Sequence, residues 1–208
     1  TNNTDITFDA NAGDFQPDWV WFKGRTSSAI DHALFDSSRG TGKHLVSNTT
    51  AAENTQGATL KTFNSNGFRV GDDAGDYGVN KNGRTYVTWN WKANGAGSSN
   101  SDGSVTSTVS ANTTAGFSIV KWVGTGANAT IGHGLGVAPS LLISKNYGTA
   151  TNWYVYHKSL GATKAIYLNE TGAVGTNSSG FNDTAPTSSV FTIGNGATGN
   201  TSSADHIA

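Results

Sequence analysis

The chain has 208 residues, 13 Lys and Arg against 14 Asp and Glu, a net charge of −1, and no cysteine. With its charges interspersed it offers no basic footprint for nucleic acid or an anionic membrane, and without thiols it has no disulfide framework, Cys-ligated metal or thiol nucleophile. Charged residues are only 13%, glycines number 27, and no apolar run approaches the roughly 18 residues that span a bilayer.

In chain order, Trp19–Lys23 after Pro17 predicts a strand that is apolar on both faces, Trp19 and Trp21 opposing Val20 and Phe22, of the kind buried inside a sandwich. The run Arg39-Gly40-Thr41-Gly42-Lys43-His44 resembles a phosphate loop only superficially. Ser37 stands where the Walker spacing needs Gly, and His44 where it needs Ser or Thr, so the segment reads as a turn. Asn66-Gly67 and Asn82-Gly83 predict tight turns. Between them Asp72, Asp73 and Asp76 offer three hard carboxylates, a weak calcium candidate that lacks the EF-hand spacing and is set against a solvated acidic turn. Tyr86–Lys92 predicts a strand with Val87, Trp89 and Trp91 on its packed face and Thr88, Asn90 and Lys92 on its wet face. Trp19, Trp21, Trp89 and Trp91 are accordingly assigned to packing.

The stretch 95–103, rich in Gly, Ser and Asn, has the composition of a flexible linker. Beyond it Ser104–Ser110 alternates as a strand, Phe117–Val123 supplies a second, and Gly132-His133-Gly134 reads as an entry turn rather than a catalytic loop, because no Gly-x-Ser-x-Gly elbow accompanies it. The landmarks then recur. Pro17–Lys23 is echoed by Pro139–Lys145, Ser38–Lys43 by Ser159–Lys164, Asn48 by Asn169 and Phe68–Gly71 by Phe191–Gly194, at an offset of about 120 residues. The expected fold is all-β, with two tandem antiparallel β-sandwich-like (jelly-roll-like) repeats, residues 1–94 and 104–208, joined by the 95–103 linker. Asp205–Ala208 aligns with Arg84–Val87, so the final strand of the second repeat is expected to be truncated and its edge covered by another chain or by further sequence.

Candidate chemistry is sparse. The histidines lack a zinc-type spacing, and Glu53 and Glu170 are the only glutamates, with no carboxylate paired to either by spacing, so no catalytic residue, metal or cofactor is expected. Tyr77, Tyr147 and Trp153 sit among Gly, Asn and Thr and are the candidates for stacking on a glycan. Eight Asn-x-Ser/Thr sequons, Asn48 and Asn200 among them, follow from the composition.

The segments Phe15–Lys23, His32–Gly40, Ser47–Glu53 and Val87–Ala93, with Thr113–Val120, Gly132–Pro139, Trp153–His157 and Asn182–Phe191 in the second half, resemble a repeat family of uncharacterised function found in tail-fibre and other virion proteins of marine, cyanophage-like bacteriophages. The resemblance implies a non-enzymatic virion structural protein, part of a tail fibre or appendage acting in assembly and host-surface attachment. Other virion proteins are the partners it implies, while the truncated final strand points to a homo-oligomer or polymer, the aromatic candidates to a host-surface glycan, and the interspersed charge to neither nucleic acid nor membrane. A carbohydrate-binding or adhesin module of a secreted protein is the alternative.

Overall fold

The computed structural model describes residues 3–9, 11, 13–26, 30–73, 75, 77–196 and 199–208. The chain divides into two compact units, the first made of residues 1–47 and 53–96, the second of 48–52 and 97–208. The described residues are predominantly strand with a single four-residue helix, which bears out the all-β expectation.

Unit 1 holds β1 (Thr4–Ile6), β2 (Trp19–Gly24), β3 (Ala33–Asp36), β4 (Lys43–His44), β5 (Asn54–Thr55), β6 (Leu60–Asn64), β7 (Gly67–Val70) and β8 (Tyr86–Trp91). They form two antiparallel three-stranded sheets, ordered β1-β7-β6 and β3-β2-β8, and the pair β4-β5. Apolar residues of β2, β3, β6 and β7, with Val79 from the loop before β8, supply one core of Val20, Phe22, Ala33, Phe35, Leu60, Phe68, Val70 and Val79. Phe22 sits edge-on to both Phe35 and Phe68, at 5.6 and 5.3 Å, and so joins the two sheets. The expected turn before Gly67 makes the β6–β7 hairpin. Gly67 has φ +108°, and a Cβ there would lie 1.9 Å from the Ile6 carbonyl oxygen, so only glycine lets β1 dock on β7.

The turn after β3 is pinned by charge. Arg39 is buried against Asp36, donates to Glu53 at 3.1 Å and to the Leu34 carbonyl at 3.2 Å, which commits the pseudo-phosphate loop to an internal ion network. At the far end of β8, the Asp18 carboxylate accepts from the amides of Ala93 and Gly95.

Unit 2 holds β9 (Ser98–Asn100), β10 (Ser107–Asn112), β11 (Phe117–Val123), β12 (Ala129–Gly132), β13 (Leu141–Asn146), β14 (Tyr154–His157), β15 (Lys164–Tyr167), β16 (Gly175–Thr176), the helix α1 (Ser178–Phe181), β17 (Val190–Ile193) and β18 (Asp205–Ile207). Eight strands form one sheet, β16-β15-β14-β13-β18-β11-β10-β9, and β12 pairs with β17. Trp122, Ile131, Tyr154, Tyr156, Phe181, Phe191 and Ile193 lead its core.

Ser98–Asn100, inside the stretch read as a linker, is the edge strand β9, paired with Ser107–Val109. Its Gly97 packs so tightly that a Cβ would lie 2.8 Å from the Val109 backbone, a close approach that a glycine-rich composition does not distinguish from flexibility. The Phe117–Val123 strand forms over its expected bounds, whereas the Ser104–Ser110 run enters the ladder only at Ser107.

The order β14-β13-β18 in unit 2 follows β3-β2-β8 in unit 1. Lys145 pairs with Ile207 as Lys23 pairs with Val87. Ile207 thus stands where Val87 stands, one residue away from the alignment of Asp205–Ala208 with Arg84–Val87. A one-residue slip turns a strand over. The observed register stacks His206 on Trp122 at 5.2 Å.

Candidate functional site

Val20 and Phe22 take the core face of β2, which turns Trp19 and Trp21 to the opposite face. In the β2–β8 ladder Trp19 pairs with Trp91 and Trp21 with Trp89, so four indoles share that face. Trp19 and Trp21 are half-buried, while Trp89 and Trp91 are 46% and 39% exposed. The expected orientation of β8 is therefore reversed. Thr88 and Asn90, expected on the wet face, lie opposite Phe22 and Val20 on the inward side, where the Asn90 amide donates to Thr88 Oγ1 at 3.0 Å and its buried Oδ1 has no partner among the described residues. An amphipathic strand laid polar side in and tryptophan side out runs against the hydrophobic effect.

The face has a polar support beneath one ring. Trp21 Nε1 donates to His32 Nδ1 at 2.7 Å, and the two rings meet edge-on at 5.7 Å. Burial first, then the Lys23 charge, hold the imidazole below its ordinary pKa, with Asp31 opposing. Nδ1 can accept only while it is unprotonated, so the neutral ring is the one that fixes Trp21. Trp89 sits edge-on to Trp21, centroids 6.2 Å apart. Lys23, the other charge near this face, donates through Nζ to the Ile30 carbonyl.

The three residues proposed for glycan stacking belong to different units, Tyr77 to unit 1 and Tyr147 and Trp153 to unit 2. Trp153 is only 1% exposed, so its exposure on the surface is corrected: the backbone amide is fixed by Asn169 Oδ1 at 2.8 Å and the ring lies inside unit 2. Tyr77 is half-buried against His44. Tyr147 borders a shallow cleft in unit 2 of about 240 Å³, with Ser99, Thr108, Lys121 and Asp205 around it.

Of the three aspartates, Asp73 is fully buried with φ +44°, and its carboxylate accepts from the backbone amides of Tyr77, Val79 and Asn80 at 2.5, 2.9 and 3.3 Å. Its lone pairs serve the loop rather than a cation, the use of acceptor geometry that spacing alone does not show. Asp72 is half-buried and Asp76 lies outside the described residues. Among the described residues no group of three or more His, Asp or Glu side chains is placed to hold a metal ion. Glu53 is engaged by Arg39 and Lys43, and Glu170 by Asn152. His133 accepts from the Leu135 amide and faces the Thr187 carbonyl, fastening its loop.

The tryptophan face escaped the sequence reading because β2 and β8 each alternate correctly in either orientation. The signal that separates them is their cross-strand register, which puts Trp-x-Trp opposite Trp-x-Trp. One family description, a domain of unknown function (DUF7483), matches residues 3–208 and so takes in both units. No curated protein and no solved structure matches the chain.

Proposed function

We propose, for a chain that belongs to the DUF7483 family, a non-enzymatic structural and attachment role in which the tryptophan face of unit 1 meets a bacterial surface glycan. The observation that carries this reading is the outward setting of Trp89 and Trp91 while Thr88 and Asn90 turn inward. Indoles are broad, rigid and amphipathic, and the faces of pyranose rings, lined by C–H groups, are the flat apolar surfaces that suit them. In this reading the two units are tandem copies of one β-sandwich-like repeat, supported by the shared order of β3-β2-β8 and β14-β13-β18. Placement in a phage tail fibre or other appendage rests on the resemblance of Phe15–Lys23 and Val87–Ala93, with their counterparts, to virion domains.

The test is binding of the purified chain to an array of bacterial surface polysaccharides, repeated with Trp89→Ala and Trp91→Ala. Each substitution is expected to weaken binding at least about tenfold, equivalent to about 1.4 kcal/mol, with the circular dichroism unchanged. Absence of any polysaccharide binding, or equal binding by the double variant, would reject the glycan reading. Gold-labelled antibody on intact particles separates a virion component from a secreted carbohydrate-binding module, which the same indole face would serve.

A further inference from the structure

We propose that Asn82 is a self-modification site, converted to aspartate and isoaspartate through a succinimide that forms when the Gly83 backbone nitrogen attacks its side chain. The sequence holds four Asn-Gly steps, at Asn66, Asn82, Asn94 and Asn195. All four share the reactive chemistry, because a following glycine has no Cβ to obstruct the attack. The attacking group is the glycine amide, so any hydrogen bond or packing that holds it must be given up first.

The fold ties down three of the four. The Gly67 N–H donates to the Phe15 carbonyl at 3.3 Å, and the residue is wedged against the Ile6 carbonyl. The Gly95 N–H donates to Asp18 Oδ1 at 3.1 Å. The Gly196 N–H donates to the Ser179 carbonyl at 3.1 Å, and a Cβ on Gly196 would lie 2.9 Å from that oxygen. Gly83 differs on each count. Its N–H has no acceptor among the described residues, a Cβ there would meet nothing within 4 Å, and both Asn82 and Gly83 are exposed. The Arg84 N–H closes the turn on the Lys81 carbonyl at 3.2 Å, which leaves the Asn82–Gly83 peptide at the tip.

The step needs only water. Hydroxide removes the Gly83 amide proton, the nitrogen bonds to Asn82 Cγ, and the Cγ–Nδ2 bond breaks as Nδ2 leaves with a proton as ammonia. Water then opens the ring at Cγ to give aspartate, or at the main-chain carbonyl to give isoaspartate, whose main chain is one carbon longer. Lys81 and Arg84 flank the step and place positive charge near the oxyanion and the product carboxylate. One added carboxylate takes the net charge from −1 to −2. The Lys81 N–H donates to Tyr86 Oη at 2.9 Å, so a longer turn is felt at the first residue of β8. None of this depends on a glycan ligand.

The purified chain, aged in mildly alkaline buffer below its unfolding temperature, is digested and mapped by mass spectrometry, with isoaspartyl methyltransferase labelling. All four steps are thereby compared in one sample. Asn82 is expected to convert at least about tenfold faster than Asn66, Asn94 or Asn195, equivalent to about 1.4 kcal/mol of barrier. In urea, where no amide is held, the four rates should converge. Asn82→Gln, whose longer side chain disfavours the ring, should abolish the fast product and leave the other three sites unchanged. A folded chain in which Asn82 does not lead, or a preference for Asn82 that survives unfolding, would overturn the proposal.

Discussion

A single hydrogen bond ties a titration to the tryptophan face. His32 accepts from Trp21 through Nδ1 and has its pKa held below 6.5 by burial and by Lys23, so protonation both breaks that bond and places a cation in a desolvated site. The unfolded chain binds this proton at higher pH than the folded one. The contribution of His32 is thus complete above about pH 6.5 and is lost as pH falls through the lower folded value. His44 and His133 are also depressed, chiefly by burial, and add losses of the same sign. The distinguishing readout is the Trp21 indole N–H resonance, expected to shift on acidification in the native chain and to stay put in His32→Gln, whose amide oxygen accepts without titrating. At Asp73 the prediction is structural: Asp73→Ala leaves the amides of Tyr77, Val79 and Asn80 without their acceptor and should cost about 3 kcal/mol or more, since each orphaned buried group costs about 1–3 kcal/mol. Calcium should leave the melting temperature of the native chain unchanged in calorimetry. A calcium-dependent rise would restore the aspartate loop as a metal site.

At the scale of the element, β2 and β8 divide their residues between two tasks. Phe22, 2% exposed and locked between Phe35 and Phe68, belongs to stability. Trp89, 46% exposed, belongs to the surface. Urea denaturation should separate them: Phe22→Ala is expected to cost about 3–5 kcal/mol through transfer and cavity terms, whereas Trp89→Ala should cost under about 1 kcal/mol. Comparable losses at the two positions would mean that Trp89 packs in solution and that the outward face is not available to a ligand.

At the scale of the whole molecule, the chain's path matters as much as its strands, because unit 2 includes the short segment 48–52 taken from within the first half. Lys145 holds it. The ammonium, fully buried at the end of β13, donates to the carbonyls of Thr50 at 3.0 Å and Thr151 at 2.5 Å, while the Thr151 amide donates to the same Thr50 carbonyl. Burial pushes Lys145 down to about 8 from an ordinary 10.5. Between those values the unfolded chain carries the extra proton, so stability should rise with pH across that window, the reverse of a paired lysine. In Lys145→Met the rise should vanish, and hydrogen exchange at the Thr151 amide should quicken as the tether is lost. An unchanged pH profile in that variant would remove Lys145 as its source.

Short Val, Ile, Phe and Trp runs between Gly and Asn turns were sufficient by themselves to determine strands rather than helices, because period-2 alternation and β-branched or aromatic side chains are local properties. The same holds for the hairpin at Gly67 and for the recurrence of Pro17–Lys23 at Pro139–Lys145. Which face of β8 looks outward was not local. Val87, Trp89 and Trp91 alternate equally well in or out, and only pairing with β2, whose Val20 and Phe22 had already claimed the core, turned the indoles to water. Trp153 met the opposite fate: polar neighbours in sequence suggested exposure, yet it is 1% exposed, since flanking residues in a chain are not the neighbours that the fold brings to a side chain. Asp73 and Lys145 likewise showed only their charge in the sequence. Their partners are backbone amides and carbonyls, groups that every residue carries and that tertiary structure alone can aim at them.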